Sequence, residues 1–251
     1  MQTTPLTSAA PLVLITRPEP GASQFATAMS ERYGGRMHAL CSPVMDIVPA
    51  GAVPDLTGVR TLVFTSQNGV LAYAAGTDRR DIPCYAVGDT TAQAAERAGI
   101  QAISAKGTAE DLLAMMLSDD LRGPVLHLRG AHAAADVAGA LRDAGYEAHD
   151  AVLYEQEPRG LTAAAREALR GKGPVILPLF SPRSARLVIA DTYPTCPLVP
   201  LAISDAAALA LPAQLAQAAI VAQRPDGCAM LEAMADALTA AKRLEGAIGP
   251  Q

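Results

Sequence analysis

The sequence predicts an α/β protein made of two similar parallel-sheet domains joined by a two-stranded linker. Three observations lead there. Short apolar runs alternate with alanine-rich helical stretches, the pattern of parallel sheets with crossover helices. Four of these strand–helix units recur, in order and at a nearly constant offset. A short extended run closed by proline sits at the equivalent place in each half.

Taken in order, "PLVLITRP" reads as a strand and "ASQFATAMSERYGG" as a helix closed by glycine. "TLVFTS" precedes "NGVLAYAA", "CYAVG" precedes "DTTAQAAERAG", and "AISAKG" precedes "TAEDLLAMMLSDDL". The second set follows. "VLITRPEPGASQFATAM" matches "VLHLRGAHAAADVAGAL", aligning Arg17 with Arg129. "VFTSQNGVLAYAA" matches "PLFSPRSARLVIA", aligning Phe64 with Phe180. "YAVGDTTAQAA" matches "LAISDAAALAL", aligning Gly88 with Ser204, and "AISAKGTAEDLLAMM" matches "AIVAQRPDGCAMLEAM", aligning Leu113 with Leu231. The proline-closed runs are "SPVMDIVP" and "AVLYEQEP"; Pro49 and Pro158 end each before the chain re-enters a globular part.

Composition narrows the function classes. Half of the 251 residues are hydrophobic and 18% are charged, so packed cores rather than disorder are expected. With three Phe, six Tyr and no Trp, base-stacking platforms would be hard to assemble, and a net charge of -5 argues against a nucleic-acid surface. Cys41, Cys84, Cys196 and Cys228 stand alone, and His38, His127, His132 and His149 form no ligand-spaced pair, so no structural zinc site is expected. Reduced, mostly buried thiols fit a cytoplasmic protein. "MQTTPLTSAAPLVLITRP" lacks the basic start and long apolar run of a signal peptide. Residues 206–222, "AAALALPAQLAQAAIVA", are uncharged but mostly alanine and interrupted by Pro212, Gln214 and Gln217, so they read as a buried helix and strand rather than a membrane span.

In open parallel sheets ligands bind beyond the carboxyl ends of the strands. That edge carries Thr16 and Arg17, Thr65, Ser66 and Asn68, Gly88 and Thr91, Arg129 and Gly130, Ser181 and Ser184, and Ser204. Each cluster opens a helix, where free N–H groups and the helix dipole favour an anion. Small hydroxyl and amide side chains let that anion approach the backbone. The simpler explanation of any one of them is helix capping, and Arg17 and Arg129 could equally be surface ion pairs; recurrence across both halves favours binding for the set. No GxGxxG, GxxxxGK[ST] or GxSxG occurs. Tyr154, in the second linker run, is the most interesting titratable group, although a tyrosine on a short strand commonly serves packing alone.

"ITRP", "FTSQNGV", "YAVGDTTAQAAERAG", "HLRG", "AGYEAHDAVLYEQEP" and "LFSPRSA", in that order and spacing, resemble the uroporphyrinogen-III synthases over residues 12–240. The resemblance implies a cleft between the two domains that holds the active site. It also implies one domain from residues 1–40 plus 159–251, a second from 49–150, and linker strands at 41–48 and 151–158. The implied reaction closes hydroxymethylbilane, a linear tetrapyrrole, to uroporphyrinogen III with inversion of ring D. Loss of the hydroxyl gives an azafulvene, attack at the substituted carbon of ring D gives a spiro intermediate, and fragmentation and reclosure follow. No cofactor or metal is implied. Ser66, Thr91 and Ser181 would face the polycarboxylate substrate, with Tyr154 near the departing hydroxyl as a proton donor. The enzyme would be a cytoplasmic monomer acting on a small molecule, without nucleic acid or membrane. The rival reading is a non-catalytic two-domain module that binds a polycarboxylate.

Overall fold

The computed structural model describes residues 10–119, 121, 123–133 and 135–248. Residues 1–9, to which the reading of the N-terminal stretch largely refers, lie outside them. The chain divides into two compact units, one running up to Met45 and resuming at Pro158, the other spanning Asp46–Glu157. The two divisions fall inside the expected linker segments at 41–48 and 151–158.

The first unit is built on β1 (Leu12–Ile15), β2 (His38–Cys41), β9 (Val175–Leu179), β10 (Leu198–Ala202) and β11 (Ile220–Val221). They form one sheet in the order β2-β1-β9-β10-β11, parallel throughout. β9 is buried at every position because both faces are covered, as parallel strands require. On one face lie α1 (Gly21–Tyr33) and α10 (Gly227–Ile248), whose Phe25, Met29, Met230, Met234 and Leu238 pack on Val13, Ile15, Ile176 and Leu201. On the other lie α6 (Ala163–Arg170) and α7 (Pro182–Asp191), which bring Leu169, Ala185 and Val188 onto Leu14, Leu177 and Leu179.

The second unit holds β3 (Met45–Pro49), β4 (Thr61–Phe64), β5 (Cys84–Ala86), β6 (Ala102–Ser104), β7 (Val125–Gly130) and β8 (Ala148–Pro158), whose ends at Met45 and Pro158 reach the division. Their order is β3-β8-β7-β4-β5-β6. The β8-β7-β4-β5-β6 core is parallel and repeats the order of the first sheet, strand for matched strand. α2 (Gln67–Gly76) and α3 (Asp89–Arg97) cover one face with Val70, Tyr73 and Ala95 against Leu62, Phe64 and Leu128. α4 (Ala109–Ser118) and α5 (Val137–Asp143) cover the other with Leu112, Met116 and Leu141 against Val63 and Val125.

The duplication inferred from sequence is thus present in the topology. Each sheet reverses its winding once, between β1 and β9 in the first unit and between β7 and β4 in the second. Helices leave these adjacent strands to opposite faces, which opens a crevice at the carboxyl ends.

The segment 206–222 departs from expectation. In place of one buried helix and a strand, the chain forms α8 (Asp205–Ala208) and α9 (Ala213–Gln217) before the two-residue β11. Pro212 lacks an N–H and cannot continue a helix from α8, so it stands at the amino end of α9 instead. α9 buries none of its residues, and Leu209 beside it is 76% exposed. No helix among the described residues is long and apolar enough to cross a membrane.

Candidate active site

In the second unit the crevice lies between the ends of β4 and β7. β4 delivers Thr65 and Ser66 to its carboxyl end, and Ser66 adopts extended backbone as the N-cap of α2, its Oγ accepting from the Asn68 N–H at 3.2 Å. Capping therefore accounts for part of the "TSQN" cluster. Asn68 sits in the first turn of α2, half-buried. Gly69 follows because the helix passes close to β7: a Cβ there would lie 2.9 Å from the Leu128 carbonyl oxygen.

Tyr154 reaches the same crevice from β8. The β7–β8 register shifts between Arg129 and Gly130, so that Tyr154 pairs with Gly130, and the Ala131 N–H donates to the Tyr154 carbonyl at 2.9 Å. Such an irregularity re-aims a side chain. The Tyr154 ring is 4% exposed and lies directly over Gly130, where an added Cβ would come within 2.6 Å of Cε2 and Cζ. Burial pushes the phenol pKa up, and a hydrogen bond from Ser66 partly opposes it. The phenol is therefore protonated at neutral pH and able to donate.

Beneath this pair lies a residue for which sequence reasoning assigned no role. His127, on β7, is 1% exposed, and its Nε2 lies 3.2 Å from the Thr65 hydroxyl. Burial, aided by the charge of Arg129, lowers its pKa to about 4, so it is neutral and can hold Thr65 as donor or acceptor. The only sequence signal was a histidine inside an apolar strand. Gly88 and Thr91 lie one strand further along, at the amino end of α3. Gly88 is its extended N-cap, and Thr91 is buried with its N–H donating to the Gly88 carbonyl at 3.0 Å.

Arg129 is engaged differently. Its Nε donates to Asp150 Oδ2 at 2.8 Å, its Nη2 approaches the same oxygen at 2.7 Å, and its Nη1 donates to the Gly130 carbonyl at 3.1 Å. A cavity of about 330 Å³ beside it is lined by Arg129, Arg142, Asp136, Asp150 and three alanines. The two acids balance the two bases.

In the first unit the crevice lies between the ends of β1 and β9. Thr16 is fully buried, and its Oγ1 has no hydrogen-bond partner among the described residues. Arg17 is half-buried with its guanidinium 4.1 Å from the centre of the Phe180 ring. Ser181 caps α7, accepting from the Ser184 N–H at 3.1 Å, and the two hydroxyls lie 2.8 Å apart. Ser204 caps α8. Within each unit, then, the expected residues stand at the ends of the switch-point strands or of the next strand, with Arg129 paired to Asp150. Among the described residues, no group of three His, Cys, Asp or Glu could hold a metal ion.

Comparison with known proteins points to one family. The family model described as uroporphyrinogen-III synthase HemD matches residues 23–232. Among solved structures, a uroporphyrinogen-III synthetase from Helicobacter pylori superposes with a TM-score of 0.63 at 20% identity, covering 90% of this chain and 98% of that one. A mutant uroporphyrinogen III synthase from Thermus thermophilus superposes with a TM-score of 0.51 at 16% identity, covering 92% and 99%. At these identities the superpositions establish likeness of fold. No curated protein matches in a sequence search.

Proposed function

The chain belongs to the uroporphyrinogen-III synthase family, and from that premise we propose how its own residues carry out the closure of hydroxymethylbilane to uroporphyrinogen III. The family consists of cyclising lyases of tetrapyrrole biosynthesis, acting on a small molecule. The observation that carries the proposal is the Tyr154 phenol, buried against Gly130 at the switch-point crevice of a parallel sheet.

The first step breaks the bond between the hydroxymethyl carbon and its oxygen. The pyrrole nitrogen pushes the hydroxyl out and Tyr154 delivers a proton to it, so that water departs; the pyrrole N–H proton then returns to the phenolate, and an azafulvene remains. The second step is a choice between two carbons of ring D. Unassisted closure uses the free carbon and gives isomer I; attack by the substituted carbon gives the spiro intermediate and, after fragmentation and reclosure, isomer III. Selecting the substituted carbon is a matter of orientation.

Orientation comes through the substrate's carboxylates. The hydroxyls of Thr65, Ser66 and Thr91, the Asn68 side chain and those amides at the starts of α2 and α3 that no cap engages offer hydrogen bonds to anions, and Gly88 leaves room beside them. Ser181 and Ser184 offer the same at α7. Each hydrogen bond to a charged group contributes about 1.5–3 kcal/mol, so several are needed to fix a flexible tetrapyrrole. His127 holds the Thr65 hydroxyl in place from below. We assign the protein to the cytoplasm as a monomer, its net charge of -5 setting it apart from nucleic-acid binders.

The test is direct. Purified protein is mixed with hydroxymethylbilane, and the isomers are separated after oxidation to porphyrins. Predominance of isomer III is expected; isomer I at the rate of the protein-free control would leave a polycarboxylate-binding module.

A further inference from the structure

Resting on the reading of the substrate as a polycarboxylate, we propose that Arg17 is the carboxylate-holding side chain of the five-stranded sheet's crevice, and that its counterpart Arg129 has been withdrawn from that task to fasten β8. The two arginines occupy matched positions at the ends of matched strands, β1 and β7. Their surroundings differ.

Arg129 is satisfied within its own unit. Asp150 on the adjacent strand takes two of its nitrogens and the Gly130 carbonyl a third, which ties β7 to β8 at the point where the register shifts. The neighbouring cavity adds Arg142 but also Asp136, so it presents no excess of positive charge to an anion.

Arg17 has the opposite character. Its guanidinium carbon lies over the Phe180 ring, 4.1 Å from the ring centre, and Phe180 is itself held edge-on by Phe25, with ring centres 5.0 Å apart and planes at 78°. It nests over Gly21, the first residue of α1, where an added Cβ would come within 2.5 Å of the guanidinium Nε. Among the described residues the acid whose charge acts on it is Glu19, and both oxygens of that carboxylate already accept from Ser23, from its N–H at 3.0 Å and its hydroxyl at 2.9 Å. Burial outweighs Glu19 and lowers the Arg17 pKa to about 10.

A partly dehydrated cation at the positive end of a helix is unfavourable unless an anion joins it. Three amides of the first turn of α1 do not compete for that anion, because Ala22 and Gln24 donate to the Pro18 and Pro20 carbonyls and Ser23 donates to Glu19. A cation over a ring face keeps its N–H groups as donors, and a guanidinium can grip a carboxylate with two parallel bonds. The adjoining Thr16 hydroxyl, buried without a partner, is a second polar group that this strand end leaves unsatisfied.

The experiment compares Arg17→Gln, Arg17→Lys and Gly21→Ala with the unaltered chain and with Arg36→Gln, an exposed control. Two quantities are read: kcat and KM with hydroxymethylbilane, and the Kd for uroporphyrin I, a stable octacarboxylate, by fluorescence titration. Arg17→Gln is expected to raise KM and Kd by roughly 10- to 150-fold, the range of one charged hydrogen-bonded contact, with kcat changed less than about threefold because uniform binding is removed. Arg17→Lys should recover only part of the loss, since an ammonium cannot fork. Gly21→Ala should raise KM with the charge intact, by displacing the guanidinium. A folded Arg17→Gln protein with unchanged KM and Kd overturns the inference. If Arg17→Gln does not fold, Gly21→Ala and Arg17→Lys decide it by the same readouts. If the unaltered chain binds uroporphyrin I without turning over hydroxymethylbilane, the catalytic reading fails while the Kd comparison still decides the role of Arg17. If it does neither, both fall.

Discussion

Replacing Gly130 by alanine should mimic, in the rate, the removal of the Tyr154 hydroxyl. The new Cβ would stand 2.6 Å from Cε2 and Cζ of the ring and 3.0 Å from its hydroxyl oxygen. Carbon atoms in contact sit at about 3.5–4.0 Å, so the ring must retreat by about 1 Å. The ring is 4% exposed and packs in the cluster that contains Phe64, Tyr73 and Leu153, so retreat compresses neighbours and should cost about 1–3 kcal/mol of stability. A displacement of about 1 Å can cost on the order of 10²-fold in rate, which is also the low end for loss of a general acid. The low end, or less, is expected because the pyrrole nitrogen already expels the hydroxyl. Gly130→Ala and Tyr154→Phe should each lower kcat by up to about 10²-fold and leave isomer III the main product. The double variant should be no slower than Tyr154→Phe, since no hydroxyl remains to be misplaced. Single-turnover rates with hydroxymethylbilane, with isomer analysis of each reaction, measure all three. Losses that multiply to about 10⁴ would show that Gly130 acts independently of the tyrosine. A Tyr154→Phe enzyme at full speed would remove the phenol from the mechanism altogether.

Ser66→Gly separates capping from substrate binding: glycine caps almost as well, so stability should fall by only a few tenths of a kcal/mol, whereas the fraction of isomer III should drop because a carboxylate contact is lost. Arg129→Gln should lower stability by about 1–2 kcal/mol, because the pair with Asp150 is only 26% and 28% exposed, yet change KM less than about threefold; urea melts and saturation kinetics report the two effects. His127 gives a pH signature. Its folded-state pKa of about 4 lies below the ordinary 6.5, so the folded protein binds fewer protons. The stabilisation is fully present above pH 6.5 and is lost as pH falls through 4, to a total of up to about 3 kcal/mol. His127→Asn should flatten that part of the urea-midpoint profile, and an unchanged profile would mean that the imidazole is not neutral in the fold.

The sheets were legible because their requirements are local. A doubly covered parallel strand needs an unbroken apolar run such as "TLVF", and the turn that follows needs small capping residues such as Ser66 and Ser181. Both needs recur in each unit, and so the repeat survived in the sequence. What stayed hidden depends on register between distant segments. Asp150 meets Arg129 across paired strands 21 residues apart, with the shift at Gly130 setting where Tyr154 falls. Phe180 reaches Arg17 from another strand, and nothing near either residue announces the stack. His127 carried no spacing signal because its partner, Thr65, lies on the neighbouring strand. The break at 206–222 was visible as Pro212, but low charge suggested burial, and short alanine helices bury little.

Duplication makes the differences between the units informative. Two copies of one crevice begin with the same chemical inventory: an arginine after one strand, a hydroxyl cap after the next. In the six-stranded sheet an aspartate on β8 has captured the arginine, and β8 contributes a buried tyrosine beside the serine cap. In the five-stranded sheet no carboxylate among the described residues hydrogen-bonds the arginine; an aromatic ring supports it, and the cap is bonded to a second serine instead. A proton donor belongs where the leaving group departs. A cation is useful where a carboxylate must only be held. The arrangement follows that division: the captured arginine lies in the unit with the phenol, and the available one in the unit without it.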